Sequence, residues 1–372
     1  MIQRFDPSVS PEAIADLRRR LEATRLPDPE LVDDWSQGVP IRILSELLDA
    51  LTAHDFQPCL DRMAELGSYR ADLDGVSIHF LHRKGPNGSP ALILTHGWPG
   101  GIVEFLDVME PLFEHFDLVV PSLPGYGFST APRETGFGVE RMADLWAELM
   151  RSLGYDRYAA QGGDWGAEVS VQLAQRHPDP CIGAHINLVS ARPPRDVLDA
   201  PTDVEAALLK RQKRWGAMEM AYFRLQASRP QTLGYALADS PAGQAAWIAE
   251  KFHAWTDSGV DRPFGNVSQR RLLDLIALYW HTNSATSSAR LYWESAYGSG
   301  RTEITAPVAA SLYPAEIMTP SRRWAAGRYK QIVRWTVHPR GGHFAAMEEP
   351  DLFVEDVLAS VDALWRAADP QP

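Results

Sequence analysis

The run Gln161-Gly162-Gly163-Asp164-Trp165-Gly166 sets a carboxylate at the centre of a small-x-nucleophile-x-small pattern. That spacing suits a tight strand-to-helix turn that thrusts one side chain out of a sheet, with Gly162 and Gly166 relieving the crowding. Ordinary turns also use Gly-Asp-x-Gly, and aspartate is a common helix cap, so the run needs company before it means chemistry. Company is found upstream in His96-Gly97-Trp98-Pro99-Gly100, which follows an apolar run and can present a backbone N–H to a developing oxyanion. The amides of Trp98 and Trp165 are the candidate donors. A Gly/Pro turn that merely ends a strand would share this composition.

A base is expected late in the chain. His343, in Arg340-Gly-Gly-His-Phe, lies just beyond a strand-like run ending near Val337 and can take a proton near neutrality. Ten other histidines compete with it, most of them polar or packing residues. His343 is preferred because the order nucleophile, acid, histidine is a known triad order. The acid follows by elimination, since no aspartate occurs between Asp274 and Asp351. Glu294, Glu303 and Glu316 remain, and only Glu316, in Ser311-Leu-Tyr-Pro-Ala-Glu, follows a credible core strand. A solvated loop glutamate is the competing reading. An aspartate nucleophile points to attack on an sp³ carbon, which displaces an alkoxide or halide and leaves an alkyl ester on the enzyme. Epoxides and haloalkanes are then the leading substrates, with His343 activating the water that cleaves the ester.

These residues need a scaffold whose strand ends share one edge. Val76-Ser-Ile-His-Phe-Leu, Ala91-Leu-Ile-Leu, Leu118-Val-Val-Pro and Tyr158-Ala-Ala read as strands. Helix-length stretches at 102–113 and 139–153 separate them, the alternation of a parallel sheet covered by helices. The first 70 residues read as helical, with one helix opening at Ser10-Pro11-Glu12 and another over 41–51. Between about 201 and 297 only helical sequence appears, carrying Trp215, Trp247, Trp255, Trp280 and Trp293. Strands return at 308–313 and 332–337, before a closing helix over 352–365. A helical insertion that interrupts one sheet suits a lid over a site. Its tryptophans fit a large apolar or aromatic cavity and equally fit ordinary helix packing.

Composition narrows the class. The 372 residues are 45% hydrophobic and 23% charged, enough for a large core, and 48 acidic against 36 basic residues leave a net charge of −12. That balance gives no general attraction to nucleic acid or anionic lipid. Cys59 and Cys181 stand far apart, which excludes a disulfide framework and a cysteine zinc site and fits a reducing compartment. No signal peptide or membrane-spanning run is evident, and no metal or organic cofactor is implied.

Collinear motifs extend over most of the chain: Asp34-Trp35-Ser-Gln-Gly, His96-Gly-Trp-Pro-Gly, Pro124-Gly-Tyr-Gly-Phe-Ser129, Gly162-Gly-Asp-Trp-Gly166, Asp239-Ser-Pro-Ala-Gly243, Lys251-Phe-His-Ala-Trp255 and Arg340-Gly-Gly-His-Phe-Ala-Ala346. In these the sequence resembles the microsomal-type epoxide hydrolases and their soluble bacterial relatives. The resemblance implies an α/β-hydrolase fold: a mostly parallel sheet flanked by helices, with an N-terminal helical extension (1–74), core segments (75–200 and 298–372) and a helical lid (201–297). It implies conversion of an apolar or aromatic epoxide and water to a vicinal diol through an aspartyl ester, with Asp164 as nucleophile, His343 as base and Glu316 as acid. It also assigns Tyr222 and Tyr292 to the epoxide oxygen, two residues that spacing does not single out among 11 tyrosines. Membrane-bound members carry an N-terminal anchor, whereas this chain begins with the soluble region, so a cytoplasmic form is expected. A homo-oligomer stays open. The competing functions are a haloalkane dehalogenase and a catalytically silent ligand-binding relative.

Overall fold

In the computed structural model, described for residues 1–296, 298 and 300–369, nine strands form one sheet. They are β1 (Ile2–Arg4), β2 (Ser68–Leu73), β3 (Val76–Arg83), β4 (Ala91–Thr95), β5 (Asp117–Pro121), β6 (Tyr158–Gly162), β7 (Cys181–Ile186), β8 (Ile304–Leu312) and β9 (Tyr329–Val337). Their order is β1-β2-β3-β5-β4-β6-β7-β8-β9. The first four strands in that order pair antiparallel, and from β5 onward every pairing is parallel. Every residue of β4, β6 and β7 is buried, as expected for strands covered on both faces. Helices Val139–Ser152, Asp164–Arg176 and Pro350–Ala368 supply that cover. This is the α/β-hydrolase fold.

The N-terminal region is not all helical. Helix Pro11–Glu22 forms as expected, with Ser10 Oγ accepting from Ala13 N at 3.2 Å and Leu17 and Leu21 buried. Helix Ile41–Ala53 also forms, and Gln57–Glu65 adds a third. But β1 and β2 join this segment to the sheet through antiparallel pairing, Ile2 opposite Ala71 and Leu73 opposite Val76. The single helix expected over 102–113 is likewise a 3₁₀ turn, Ile102–Phe105, and a short helix, Met109–Phe113. Pro111 has no N–H to continue the earlier turn, so the helix must restart before it.

Among the described residues seven helices lie between β7 and β8, from Arg195–Asp199 to Ser284–Ser295. The boundary expected at 297 and residues 370–372 of the closing segment lie outside the described set. Among the described residues no helix is long and apolar enough to cross a membrane.

Sheet order places the site. β4 pairs with β5 on one side and β6 on the other, with Thr95 opposite Gly162, so the loops leaving β4 and β6 meet where the strand order reverses. β8 and β9 run parallel with Leu312 opposite Val337, which sends their following loops to the same edge.

Candidate active site

Asp164 sits at the turn between β6 and helix Asp164–Arg176 with φ +49°, a left-handed conformation that costs an L-residue about 1–2 kcal/mol. The fit around it explains the glycines. A Cβ on Gly162 would fall 2.1 Å from Gly166 O, and one on Gly166 would fall 1.9 Å from Thr95 O. The backbone can therefore approach β4 closely only without side chains. Asp164 Oδ1 accepts from Trp98 N at 2.8 Å, and Oδ2 lies 3.4 Å from His343 Nε2. Trp165 occupies the first turn of the helix, whose amides have no intrahelical acceptor.

His343 Nδ1 lies 2.7 Å from Glu316 Oε1, and both side chains are almost wholly buried. The histidine loop is tied down by His343 N donating to Trp255 O at 2.8 Å and by Ala315 N donating to Gly341 O at 3.1 Å. Burial alone would lower the His343 pKa, but the Glu316 and Asp164 carboxylates outweigh it and raise the value well above 6.5. Glu316 is 0% exposed, which removes the solvated-loop reading. The other two carboxylates considered for its role are committed elsewhere: Glu294 Oε2 accepts from Gly136 N at 2.9 Å, and Glu303 pairs with Lys330 at 3.2 Å.

His96 is a different kind of histidine. Leu123 N donates to its Nε2 at 3.1 Å, so Nδ1 carries the proton and donates to Gly97 O at 3.0 Å. Burial pulls its pKa down to about 4, and the neutral ring serves to hold the turn before Trp98.

The helical insertion brings Tyr222 and Tyr292 over this group, 4% and 1% exposed. Tyr222 stacks on Trp98 at 5.4 Å, and Tyr292 meets Trp165 edge-on at 4.9 Å. The Tyr292 hydroxyl is buried without a hydrogen-bond partner. Burial, together with the Asp164 charge, holds both phenols well above their usual pKa, so they are proton donors at neutral pH. A cavity of about 290 Å³ opens between Asp164 and these tyrosines and continues along Trp215, Phe223, Leu188 and Met318.

Comparison with known proteins then decides the family. Residues 2–105 match the family model described as epoxide hydrolase N terminus, and residues 90–350 match that of the alpha/beta hydrolase fold. A relative from Stigmatella aurantiaca is 43% identical, covering 96% of this chain and 84% of its own length. Epoxide hydrolase 1 of Oryctolagus cuniculus is 33% identical, covering 98% of this chain and 90% of its own. The chain belongs to the epoxide hydrolase family. Among solved structures, juvenile hormone epoxide hydrolase from the silkworm Bombyx mori superposes with a TM-score of 0.91 at 29% identity, covering 99% of this chain and 96% of its own. Aspergillus niger epoxide hydrolase gives 0.89 at 29% identity, covering 98% and 97%.

Within this epoxide hydrolase fold Asp164, Tyr222 and Tyr292 line one cavity, and the Trp98 amide and His343, itself held by Glu316, meet Asp164 from behind it. The five insertion tryptophans divide. Trp215 lines the cavity, Trp255 packs edge-on against His343 at 4.9 Å, and Trp293 is 48% exposed. Sequence reasoning missed Glu168, one helical turn beyond Asp164 and also on the cavity wall. Two carboxylates so spaced could share acid and base duties, but Arg328 holds both Glu168 oxygens at 2.7 Å in a buried bidentate pair. The glutamate is therefore a neutralised wall. It missed Glu104 as well, an acidic residue at a position that reads simply as a helix cap.

Proposed function

We propose that this chain hydrolyses an epoxide to a vicinal diol through an ester on Asp164. The observation that carries the reading is the opposition of Asp164 to two buried tyrosines across one cavity, with the Tyr292 hydroxyl unpartnered. Oδ2 attacks an epoxide carbon, the C–O bond breaks, and the departing oxygen takes a proton from Tyr222 or Tyr292. Oδ1, held by Trp98 N, remains the ester carbonyl oxygen. His343 then takes a proton from water as the water oxygen attacks Cγ of Asp164, with Glu316 supporting the imidazolium. Negative charge collects on Oδ1, where the Trp98 and Trp165 amides receive it, and each such donor is typically worth about 10²–10³ in rate. Collapse breaks the Cγ–Oδ2 bond: the leaving diol oxygen takes the proton from His343, and the proton remaining on the Asp164 carboxyl replaces the one given up at ring opening, so the diol leaves with Oδ2 incorporated. The helices of 201–297 act as a lid that carries the two tyrosines. Halide departure needs no phenolic proton, so the tyrosine pair favours epoxide over haloalkane.

A single turnover in isotopically heavy water tests this. The first diol should take its new oxygen from unlabelled Asp164, with label appearing in the enzyme peptide that contains Asp164. Label in the first diol would mean direct attack by water and would overturn the reading. Asp164→Ala should fold and be inactive.

A further inference from the structure

Two glycines in the segment after β4 each make room for one carboxylate. A Cβ on Gly97 would fall 2.3 Å from Asp164, and one on Gly100 would fall 1.5 Å from Glu104 Oε1. Backbone amides serve both groups: Trp98 N donates to Asp164 Oδ1 at 2.8 Å, and Gly101 N donates to Glu104 Oε1 at 2.9 Å. Capping of the turn Ile102–Phe105 accounts for Oε1 alone.

The surroundings of Glu104 are unusual for a cap. Its neighbours Ile102, Val103 and Phe105 are 0%, 1% and 3% exposed, yet the Glu104 side chain keeps partial accessibility. Burial nevertheless dominates its environment and pushes its carboxyl up to about 8. Oε1 alone is bonded within the protein, and Oε2 is neither partnered nor fully occluded, so this oxygen is free to hold a water. Helix Ala345–Glu348, directly after His343, packs against this turn, and Glu104 feels the charges of His343 and Asp164. From the other side, the Tyr279 hydroxyl donates to Gly100 O at 2.8 Å. Of the other charges nearby, Asp107 is engaged with Arg271 at 2.8 Å, while Glu348 accepts from Asp257 N at 2.8 Å through one oxygen only, and burial raises its own carboxyl to about 7.

We propose that Glu104 positions the hydrolytic water, its Oε2 accepting one hydrogen while the other points to His343 Nε2. The proposal rests on the ester mechanism and concerns its second step only. As water oxygen bonds to Asp164 Cγ, one O–H bond breaks toward His343, and the O–H held by Glu104 stays intact. A carboxylate accepts better than a carboxylic acid, so ionisation of Glu104, whose carboxyl burial holds at about 8 in the resting enzyme, should assist this step as pH rises.

Glu104→Gln separates the positioning role from capping. Its carbonyl can still accept from Gly101 N, but the amide NH₂ then facing the water cannot accept. Ester formation, followed by mass in a single turnover, should stay within about threefold of wild type, while ester hydrolysis should slow by roughly 10–100-fold. The rise in hydrolysis rate between pH 7 and 9 should shrink in the variant. Wild-type ester hydrolysis with an unchanged pH profile would overturn the assignment, as would equal slowing of both steps with a lowered melting temperature. Absence of any ester in the wild type would instead sink the underlying mechanism.

Discussion

His343 stands between two carboxylates, and its proton affinity must change during the proposed cycle. In the resting enzyme Glu316 and Asp164 overcome burial and keep the imidazole protonated at pH values above 6.5. Alkylation converts Asp164 to a neutral ester and so deletes one of these anions. His343 then releases its proton at the stage where a base is needed, and that proton balances the one the new alkoxide requires. In weak buffer at pH 7.5, an indicator dye should therefore register well under one proton taken up per ester formed by the wild type. His343→Ala, which has no stored proton, should take up about one and then hold the ester, since a general base typically contributes about 10²–10⁴ in rate. Equal uptake by both proteins would show that His343 is neutral at rest. Legibility at this scale follows the local pattern. Asp164 and His343 stand out because glycines flank them in turns that close packing explains, whereas Glu316 emerges only by elimination and Glu104 is hidden behind its capping position.

Among the elements, those with simple apolar runs are readable and those with mixed composition are not. β4 and β6 announce themselves, but β7 contains Gly183 and a buried His185. A Cβ at Gly183 would fall 2.6 Å from Pro307 O, and His185 Nε2 meets Ser311 Oγ and Asp356 Oδ2 at 3.0 Å. Tertiary contacts thus justify residues that local patterning counts against a strand. β2, reading Tyr-Arg-Ala-Asp at its centre, is masked by its polar positions. The insertion shows the same limit from another direction. Helices Ala221–Ser228 and Ser284–Ser295 are recognisable as helices, but only their packing against each other shows which tyrosines meet. Those two helices should govern ring opening alone. Tyr222→Phe and Tyr292→Phe should each slow ester formation by roughly 10²-fold or more, with the double variant nearly inactive. Hydrolysis of a formed ester should change little, because the Trp98 amide and His343 lie on the core. Stopped-flow tryptophan fluorescence resolves the two steps, and wild-type ester formation in the double variant would refute the assignment.

At the scale of the whole molecule, three parts of the chain are joined through one buried carboxylate. Asp274, 0% exposed on helix Gln269–His281 of the insertion, bonds His54 Nε2 at 2.9 Å at the end of the N-terminal helix Ile41–Ala53. Its other oxygen meets Arg271 Nη1 at 3.0 Å, and Arg271 Nε reaches Asp107 beyond β4 at 2.8 Å. The N-terminal segment touches the insertion elsewhere too, through Trp35 stacked on His253 at 3.8 Å and Arg20 paired with Asp239 at 3.0 Å. These contacts differ greatly in consequence. The Arg20 pair lies at the surface with its Asp239 side exposed, where hydration and side-chain entropy cancel most of the attraction, so Arg20→Ala should cost far less than the loss of a buried partner. Removing a partner from a buried ionic cluster leaves uncompensated groups in a poorly hydrated interior, at a cost of about 3–5 kcal/mol. Asp274→Ala should therefore lower the urea unfolding free energy by about that amount. Because the same insertion carries Tyr222 and Tyr292, a loosened joint should also slow ester formation more than ester hydrolysis. If Asp274→Ala and Arg20→Ala prove equally mild, the N-terminal segment rests on the insertion without bracing it, and the tyrosines must be held by packing within the insertion itself.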